Sequence, residues 1–267
     1  MMAVMARYEH DVMQAVSLRG SMSVRDLAAL LAVSEQTVRR IVKPMVDREE
    51  ISKVHGAIVA VGPPGEPPFL ARMNVARAAK IAIATRVAEL VHDGDSIALD
   101  TGSTTGFIAQ ALRQHRNLTV VTNSSFIATS LATIPGNRVL MAGVELRNHD
   151  GASFDSFAFK VMASLRVRIA VLSVSAVDEV DGFMVQEHCE AEMSEVLAGI
   201  ADQRVVAVDH SKFGRRALVR SAPLRDGDIV VSDQMPDDVF QTVLAGLQVE
   251  VASRRPEAPR RVRAGRR

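Results

Sequence analysis

Six short apolar runs rich in β-branched residues alternate with segments of helical periodicity, and this alternation limits the possible folds more than any other feature of the chain. The runs are SIALD (96–100), LTVVT (118–122), RVLMAG (138–143), RIAVLSV (168–174), RVVAVD (204–209) and DIVVSD (228–233), and helical patterns cover 75–92, 106–114, 125–132 and 190–202. Apolar strands that alternate with helices are typical of a parallel sheet buried on both faces. We therefore predict an α/β domain over residues 73–253.

Length and composition exclude several classes of protein. A chain of 267 residues is long enough for two domains. It has no uninterrupted apolar run of the roughly 18 residues that a membrane span needs, and its first residues lack the pattern of a secretion signal. Cys189 is the single cysteine, which excludes an intramolecular disulfide and fits a reducing compartment. We expect a cytoplasmic location, no membrane partner and no cofactor. Cys189 lies between His188 and Glu190, which could bind a metal ion, but we expect no metal site there.

Residues 23–43 carry two short helical signals joined by a turn. Ser23 and Ser34 are each placed to cap a helix, because a hydroxyl at that position can accept from a backbone N–H of the first turn. In the second helix Val38, Ile41 and Val42 recur at helical spacing and face a core. Pro44 cannot donate to the helical hydrogen-bond ladder, so the second helix is predicted to end near Lys43.

The outward face of that second helix is polar and basic. At about 100° per residue, Gln36, Arg40 and Lys43 point away from the core, with Thr37 and Arg39 beside them. Glutamine can pair with adenine, and arginine with guanine or phosphate, which predicts a helix-turn-helix that reads double-stranded DNA. The alternative is a pair of ordinary helices with a solvated basic face. The predicted DNA-contacting residues are Ser23, Ser34, Gln36, Thr37, Arg39, Arg40, Lys43, Lys53 and His55.

The flanking segments complete a small N-terminal domain. A first helix is predicted from Arg7 to Leu18, with Gly20 as its stop, and the β-rich segment 51–61, turning at His55 and Gly56, suggests a wing. We therefore expect a winged helix-turn-helix domain over 1–61. The stretch GPPGEPP opens a proline-rich linker, predicted over 62–72.

Charge is unevenly distributed along the chain. The last 14 residues hold seven arginines and one glutamate, whereas the formal net charge of the whole chain is +1, so the remainder is net acidic. We predict a disordered tail over 254–267. It could add non-specific phosphate contacts as an arm, or it could serve only to keep the protein in solution.

Polar residues follow the predicted strands where ligands bind in open parallel sheets. Small hydroxyl-bearing turns that lead into helices expose backbone amides and suit a phosphate or a carboxylate, although the same residues can simply cap the helices. Asp209 and Lys212 could bind a polar ligand, or they could form an exposed ion pair. Glu190 could bind a ligand too, but a carboxylate at the start of a helix is also expected simply because it stabilises the helix dipole. The candidate ligand-binding residues are Asp100, Thr101, Gly102, Ser103, Thr104, Thr105, Thr122, Asn123, Ser124, Glu190, Asp209 and Lys212.

Taken together, these segments resemble the DeoR family of bacterial transcriptional regulators, from about residue 7 to residue 233. The matching motifs are VSEQTVRR (33–40), VHGA (54–57), PF (68–69) with Arg72, KIA (80–82), LDTGSTT (99–105), TNS (122–124), AG (142–143), EA (190–191) and DHSKFG (209–214). The resemblance implies a sensor domain akin to ribose-5-phosphate isomerase and coenzyme A transferases that binds a sugar phosphate or related metabolite. It further implies an oligomeric repressor of carbohydrate catabolic genes, and it assigns the candidate ligand-binding residues to the effector pocket.

Several positions depart from the family pattern. Ile41 stands where aspartate is usual, Ala57 replaces a wing glycine, and residues 173–176 replace a glycine-rich strand end. Ser194 stands where the family carries a lysine, and a missing cation opposite an anionic ligand would weaken binding. This difference predicts an effector that is atypical, weakly bound or not phosphorylated.

Two other functions stay open on the sequence. An isomerase or transferase with a DNA-binding head could use Asp100, Glu190, Asp209 and Lys212 as acid, base and electrophile. A DNA-binding protein whose C-terminal domain only mediates assembly into a dimer or tetramer would account equally well for the departures.

Overall fold

The computed structural model describes residues 8–9, 11–13, 15–16, 22–48, 50–54, 57–60 and 69–252. The described residues of the predicted first helix are helical. His55, the GPPGEPP stretch and the arginine-rich tail lie outside the described residues, so the predictions made for them remain predictions.

The N-terminal unit is a helix-turn-helix with a small sheet. Helices α1 (Val24–Leu31) and α2 (Glu35–Asp47) are followed by β2 (Ile51–Val54) and β3 (Ala57–Ala60), and β3 also pairs with β1 (Met22–Ser23). The strands are antiparallel in the order β1-β3-β2. Leu27, Val38 and Ile58 are fully buried in the core between them. The predicted wing is therefore a β2–β3 hairpin with an added short strand.

Both predicted helix caps are present. The Ser23 Oγ accepts a hydrogen bond from the Asp26 N–H at 3.0 Å, and the Ser34 Oγ accepts one from the Thr37 N–H at 3.1 Å. Ala32 adopts a left-handed conformation with φ of 53°, which ends α1. These local contacts fix the orientation of α2 relative to α1, and therefore which face of α2 is exposed.

The prediction that the second helix ends near Lys43 is wrong. Helix α2 continues through Pro44 to Asp47. Only 1% of Met45 is exposed, and Val46 packs against the same core. Burial of these apolar side chains outweighs the hydrogen bond that Pro44 cannot donate, so tertiary packing overrides the local preference.

The larger unit is built on a seven-stranded sheet. Its strands are β4 (Ser96–Leu99), β5 (Thr119–Thr122), β6 (Arg138–Met141), β7 (Val167–Ser173), β10 (Ala201–Ala207), β12 (Ile229–Ser232) and β13 (Gln248–Val251). Its helices are α3 (Phe69–Arg72), α4 (Arg77–Glu89), α5 (Ser103–Ala111), α6 (Ser125–Ala132), α7 (Ser156–Ala163) and α8 (His188–Ile200). All six strand pairings are parallel, which confirms the predicted α/β class.

The strand order β13-β12-β10-β7-β4-β5-β6 places a topological switch point between β4 and β7. From β4 the chain winds outward through β5 to β6, and from β7 it winds in the opposite direction. Alternate residues of each strand face opposite layers, since Ile97 and Leu99 pack under α4–α6 whereas Ala98 packs toward α7 and α8. Ligands of such sheets bind beyond the carboxyl ends of the strands at the switch point.

A second, antiparallel sheet of three strands was not predicted. It consists of β8 (Ala176–Asp178), β9 (Gly182–Val185) and β11 (Val219–Arg220). The chain also forms α7 and β13, which the sequence patterns did not indicate, and α5 begins three residues earlier than expected. Among the described residues, every helix is too short or too polar to traverse a bilayer.

Candidate functional site

The exposed face of α2 carries the polar side chains that sequence periodicity placed there. Gln36, Arg39, Arg40 and Lys43 are exposed, while Thr37 is half-buried. The Arg39 Nη2 donates to the Glu35 Oε2 at 3.0 Å. Gln36, Arg39 and Arg40 lie in the N-terminal half of α2, and the N-terminal end of the second helix is the part that meets base edges in helix-turn-helix proteins.

The other predicted DNA-contacting residues fall into two groups. Ser23 and Ser34 use their hydroxyls as helix caps, and the Ser34 Oγ also lies 2.9 Å from the Thr37 Oγ1. Lys53 is exposed on β2, the first strand of the hairpin. The two serines therefore have a structural role that the sequence alone did not separate from DNA contact.

Asp100 lies at the switch point of the larger sheet. It follows β4, its Oδ1 accepts from the Thr101 N–H at 2.7 Å, and its Oδ2 accepts from the Ser173 N–H at 3.3 Å. Only 5% of Asp100 is exposed. Burial raises the pKa of Asp100 to about 7, although the amide of Ser173 acts in the opposite direction, and the nearby charge of Glu190 adds to the increase. A carboxyl group here can exchange a proton near neutral pH.

The turn after Asp100 approaches the neighbouring strand closely. Gly102 has a φ of +155°, and a Cβ at this position would stand 2.3 Å from the Ser173 Oγ. The Thr105 Oγ1 donates to the Gly102 carbonyl at 2.9 Å, so this hydroxyl is committed to the turn itself. By contrast, the buried Thr101 Oγ1 has no hydrogen-bond partner among the described residues. A buried hydroxyl without a partner indicates a position where a ligand or water is expected.

Lys80 is a buried cation beside this turn that sequence reasoning did not assign to the site. Its Nζ donates to the Arg72 carbonyl at 2.6 Å and to the Ser103 Oγ at 2.9 Å, and 3% of the residue is exposed. Ser103 is the first residue of α5, whose first-turn N–H groups have no helical acceptors. An ammonium group at a helix N-terminus forms a site for an anion.

Two adjoining cavities lie over this edge of the sheet. The larger has a volume of about 200 Å³, and five basic residues line it together with a single acid, Asp209. The smaller, of about 20 Å³, is lined by Asp100, Thr101 and Glu190, among others. Arg72 and Ser175 border both cavities, so they form one cleft. The basic residues that line the larger cavity are Arg72, Lys80, Lys212, Arg215 and Arg216.

The predicted ligand-binding loop at residues 122–124 lies beside the cleft but lines neither cavity. Thr122 pairs with Leu99 across the parallel strands, so Asn123 follows β5 alongside Asp100. The Asn123 Nδ2 donates to the Ser153 carbonyl at 3.1 Å, whereas the Asn123 Oδ1 and the Ser124 Oγ are buried without partners in the described part of the chain. Thr104 is also buried and lines neither cavity.

Glu190 borders the cleft, but its carboxylate is already engaged. The Oε2 accepts from the Gln186 and Glu187 N–H groups in a capping box of α8, and the Oε1 lies 3.4 Å from the Arg147 Nη2. The Arg147 guanidinium also pairs with Asp150 and lies 4.1 Å from the centre of the Phe154 ring. Glu190 therefore joins the cleft to the loop before α7.

Asp209 and Lys212 both line the larger cavity. Asp209 is 1% exposed, and its Oδ1 accepts from the Ser211 N–H at 3.1 Å, which caps the short turn His210–Lys212. Arg216 extends from the following segment and is paired with Asp178 and Asp181. The structure brings the two predicted residues to the same cavity as Lys80.

The departure at Ser194 does not leave the cleft without cations. Ser194 is fully buried on α8 and lines neither cavity. Its Oγ donates to the Ala191 carbonyl at 2.7 Å and accepts from the Ala222 N–H at 2.9 Å. The basic character of the cleft comes from other residues, and the prediction of an effector that is atypical, weakly bound or not phosphorylated stays a prediction.

Cys189 is not arranged as a metal ligand. Its Sγ lies 3.6 Å from the Glu187 Oε2, and partial burial raises the pKa of the thiol to about 11. Within the described ranges, no group of three or more histidine, cysteine or carboxylate side chains is placed to hold a metal ion.

The polar cleft residues that sequence reasoning missed are Arg72, Lys80, Ser173, Ser175, Gln186, Ser211, Arg215 and Arg216. For Lys80 a signal was present in the sequence. It lies on the face of α4 that also carries Ala84 and Val87, both buried. A lysine on an apolar helix face requires a buried partner, and that requirement points to a site.

A winged helix-turn-helix joined to an α/β domain with a basic cleft defines a class of DNA-binding regulator with a sensor domain. Comparison with protein families places the chain within that class. Residues 10–62 match the DeoR-like helix-turn-helix domain, and residues 75–234 match the DeoR C terminal sensor domain. The second match alone covers more than half of the chain, and the protein belongs to the DeoR family.

Characterised relatives align over most of the chain. The glycerol-3-phosphate regulon repressor of Escherichia coli is 27% identical over 242 residues, 91% of this chain and 96% of that protein. The transcriptional repressor CsqR of Escherichia coli is 28% identical, over 91% of this chain and 93% of that protein. Both are named as repressors, and the two matched domains belong to the same family of regulators, so the protein is a DNA-binding transcriptional regulator.

Among solved structures, ribose 5-phosphate isomerase A from Methanocaldococcus jannaschii aligns with 51% of this chain and 54% of its own, at 19% identity and a TM-score of 0.38. Similarity at this level does not bear on function.

Proposed function

We propose that the protein is an operator-binding repressor of carbohydrate genes that is released by a small phosphorylated metabolite bound in the cleft. The observation that carries this proposal is the buried Lys80 ammonium on Ser103, at the start of α5, within a cavity lined by five basic residues. Charge-assisted hydrogen bonds to a phosphate are about twice as strong as neutral ones. A phosphate at Ser103 would accept from the N–H groups at the start of α5 and would lie among the positive charges that line the cavity.

The other end of the effector is proposed to carry hydroxyl groups. Asp100 and the unpartnered Thr101 hydroxyl line the smaller cavity, which adjoins the larger one through Arg72 and Ser175. A carboxyl and a hydroxyl suit the hydroxyls of a polyol or sugar better than a second anion. One relative is named as the glycerol-3-phosphate regulon repressor and another as an aga operon repressor, and these names support a carbohydrate phosphate as the effector.

The DNA-binding residues are proposed to be Gln36, Arg39, Arg40 and Lys43 of α2, with Lys53 and His55 on the wing and Ser23 and Ser34 placing the helices. A symmetric dimer or tetramer would set paired α2 helices about one helical turn of DNA apart. Such a regulator acts on the chromosome, so we propose a cytoplasmic location. The proposed boundaries remain 1–61, 62–72, 73–253 and 254–267.

The sensor half of the proposal is tested by replacing the buried cation. Lys80→Met should leave binding to the upstream DNA of the gene intact and weaken release by glycerol 3-phosphate or fructose 6-phosphate by at least about 10-fold, because one charge-assisted contact is lost. Fluorescence anisotropy of labelled DNA measures both effects. Lys160→Met, an exposed lysine on α7, is the matched control and should respond as the wild type does. An unchanged response of Lys80→Met would contradict the placement of the phosphate.

The DNA-reading half is tested separately. Gln36→Ala and Arg40→Ala should abolish discrimination between operator and random DNA while the thermal stabilisation by effector persists. Arg138→Ala removes an exposed arginine of the other domain and should discriminate normally. Specific binding that none of the compounds changes would instead favour a C-terminal domain that only mediates assembly.

A further inference from the structure

The first residue of α2 is an acid in the surface that otherwise carries basic and amide groups. Glu35 follows the cap Ser34, and 47% of its side chain is exposed. Its carboxylate holds Arg39, one helical turn on, through a 3.0 Å contact, and Arg39 is itself 63% exposed. A carboxylate next to a DNA backbone is repelled by the phosphates, so Glu35 would oppose non-specific DNA binding, although the helix dipole and Arg39 stabilise its charge.

The Glu35–Arg39 pair has the hydrogen-bonding pattern of one base pair. In the major groove a G·C pair presents two acceptors on guanine, N7 and O6, and one donor on cytosine, the N4 amino group. Glu35 accepts one hydrogen bond from the Arg39 Nη2, which leaves other N–H donors of Arg39 available, and among the described residues no hydrogen bond reaches the other Glu35 oxygen, Oε1. The pair therefore offers donors and an acceptor side by side.

We infer that Glu35 is a further specificity-determining residue, which reads cytosine while the Arg39 that it holds reads the guanine of the same base pair. An A·T pair with thymine in the cytosine position would set the thymine O4, an acceptor, against the carboxylate. The pair thus selects through repulsion as well as attraction, and specificity commonly needs both. This inference rests on the proposed DNA-reading role of α2.

The geometry of α2 permits this reading. Residues four apart on a helix lie on the same face with a rise of about 6 Å, and Arg39 is already folded back toward the N-terminal tip by its contact with Glu35. Buried Val38 and Ile41 fix the opposite face of the helix against the core. The Ser34 cap fixes the position of residue 35 relative to α1.

The experiment is selection of bound duplexes from a random pool, long enough for two half-sites about 10 base pairs apart, by the full-length wild type and by Glu35→Gln. The wild type should enrich a motif with at least one strongly selected G·C position in each half-site. Glu35→Gln should lose that cytosine preference by about 10-fold and admit adenine, because glutamine pairs with adenine. It should also bind random DNA more tightly.

Three further proteins complete the test. Asp47→Asn removes one exposed acid from the far end of the same helix, so it is matched in charge and should reproduce the wild-type motif. Arg39→Lys should relax the same base-pair position, and the double variant should lose no more there than Arg39→Lys alone. A wild-type motif that Glu35→Gln reproduces at every position, with equal enrichment, would overturn the inference and leave the proposed function standing. A wild type that enriches no motif would overturn both.

Discussion

Asp100 is predicted to make the stability of the sensor domain depend on pH in the range where the protein works. Its pKa is raised from 3.8 to about 7 by burial. The unfolded chain releases this proton first as the pH rises, and the folded chain keeps it until about pH 7, so the free energy of unfolding falls between these values and levels off above them. For those two pKa values, the loss between pH 5 and pH 8 is about 3 kcal/mol.

Asp100→Asn removes this titration while keeping the shape of the side chain. The amide offers one acceptor to two N–H donors, from Thr101 and Ser173, so the variant should be about 1 kcal/mol less stable than the wild type near pH 3, where Asp100 is protonated in both the folded and the unfolded chain. The pH-dependent part is the diagnostic quantity. Relative to the variant, the wild type should lose about 3 kcal/mol between pH 5 and pH 8, because only the wild type must ionise a buried carboxyl group.

Urea unfolding followed by circular dichroism at several pH values measures this difference. Labelling of Cys189, which lies half-buried on α8, assigns the transition to the larger domain. Thr101→Val is a matched control, because it alters the same turn without a titratable group, and its difference from wild type should not change with pH. The reasoning would be refuted if the difference in stability between wild type and Asp100→Asn changed by less than about 0.5 kcal/mol from pH 5 to pH 8. Substitutions at ordinary surface positions already cause effects of that size.

Three other substitutions test particular contacts. Ser34→Ala should destabilise the N-terminal domain by about 1 kcal/mol through loss of the cap on Thr37, measured by thermal unfolding of the full chain, and should weaken operator binding with it. Gly102→Ala should destabilise the larger domain by about 3 kcal/mol in urea, since the new Cβ meets the Ser173 hydroxyl at 2.3 Å in a strained backbone; an effect below about 1 kcal/mol would contradict the close approach. Gly199→Ala should instead stabilise the same domain by about 0.5–1 kcal/mol, because Gly199 lies in α8 and an added Cβ would meet no atom within 4 Å. A loss of stability would contradict the open space around this end of the helix.

Local signals predicted the elements whose cause is local. The caps at Ser23 and Ser34 follow from the chemistry of a hydroxyl and a nearby N–H, and both are confirmed. Helix α6 begins and ends where its apolar pattern does, at Ser125 and Ala132. The apolar strands β4, β5 and β12 were likewise found within a residue or two of their limits, because burial on both faces leaves a strong pattern.

Elements that depend on distant partners were not predicted. Helix α2 passes Pro44 because Met45 is buried by the rest of its domain. Strand β13 is an edge strand of four residues, half exposed, and its pattern is too short to distinguish from a loop. Helix α7 depends on a cap by Asp155, whose carboxylate also binds the backbone of Val144.

The cleft shows the same division between local and distant causes. Asp100 and Ser103 could be found because they follow an apolar strand directly. Lys80 belongs to the site only because the fold brings it within 2.9 Å of Ser103, 23 residues further along the chain. The position of Ser194 also could not be predicted, since the fold directs its hydroxyl to the backbone N–H of Ala222, 28 residues further along the chain.

The central claim is that the cleft controls DNA binding through a phosphorylated metabolite. The most direct measurement is binding of the purified protein to its own upstream DNA at fixed salt, with glycerol 3-phosphate, fructose 6-phosphate, glycerol and inorganic phosphate added in turn. We expect sequence-specific binding that a sugar or polyol phosphate releases, while its unphosphorylated counterpart does not. Specific binding that none of these compounds alters, or that glycerol releases as well as its phosphate does, would contradict the account.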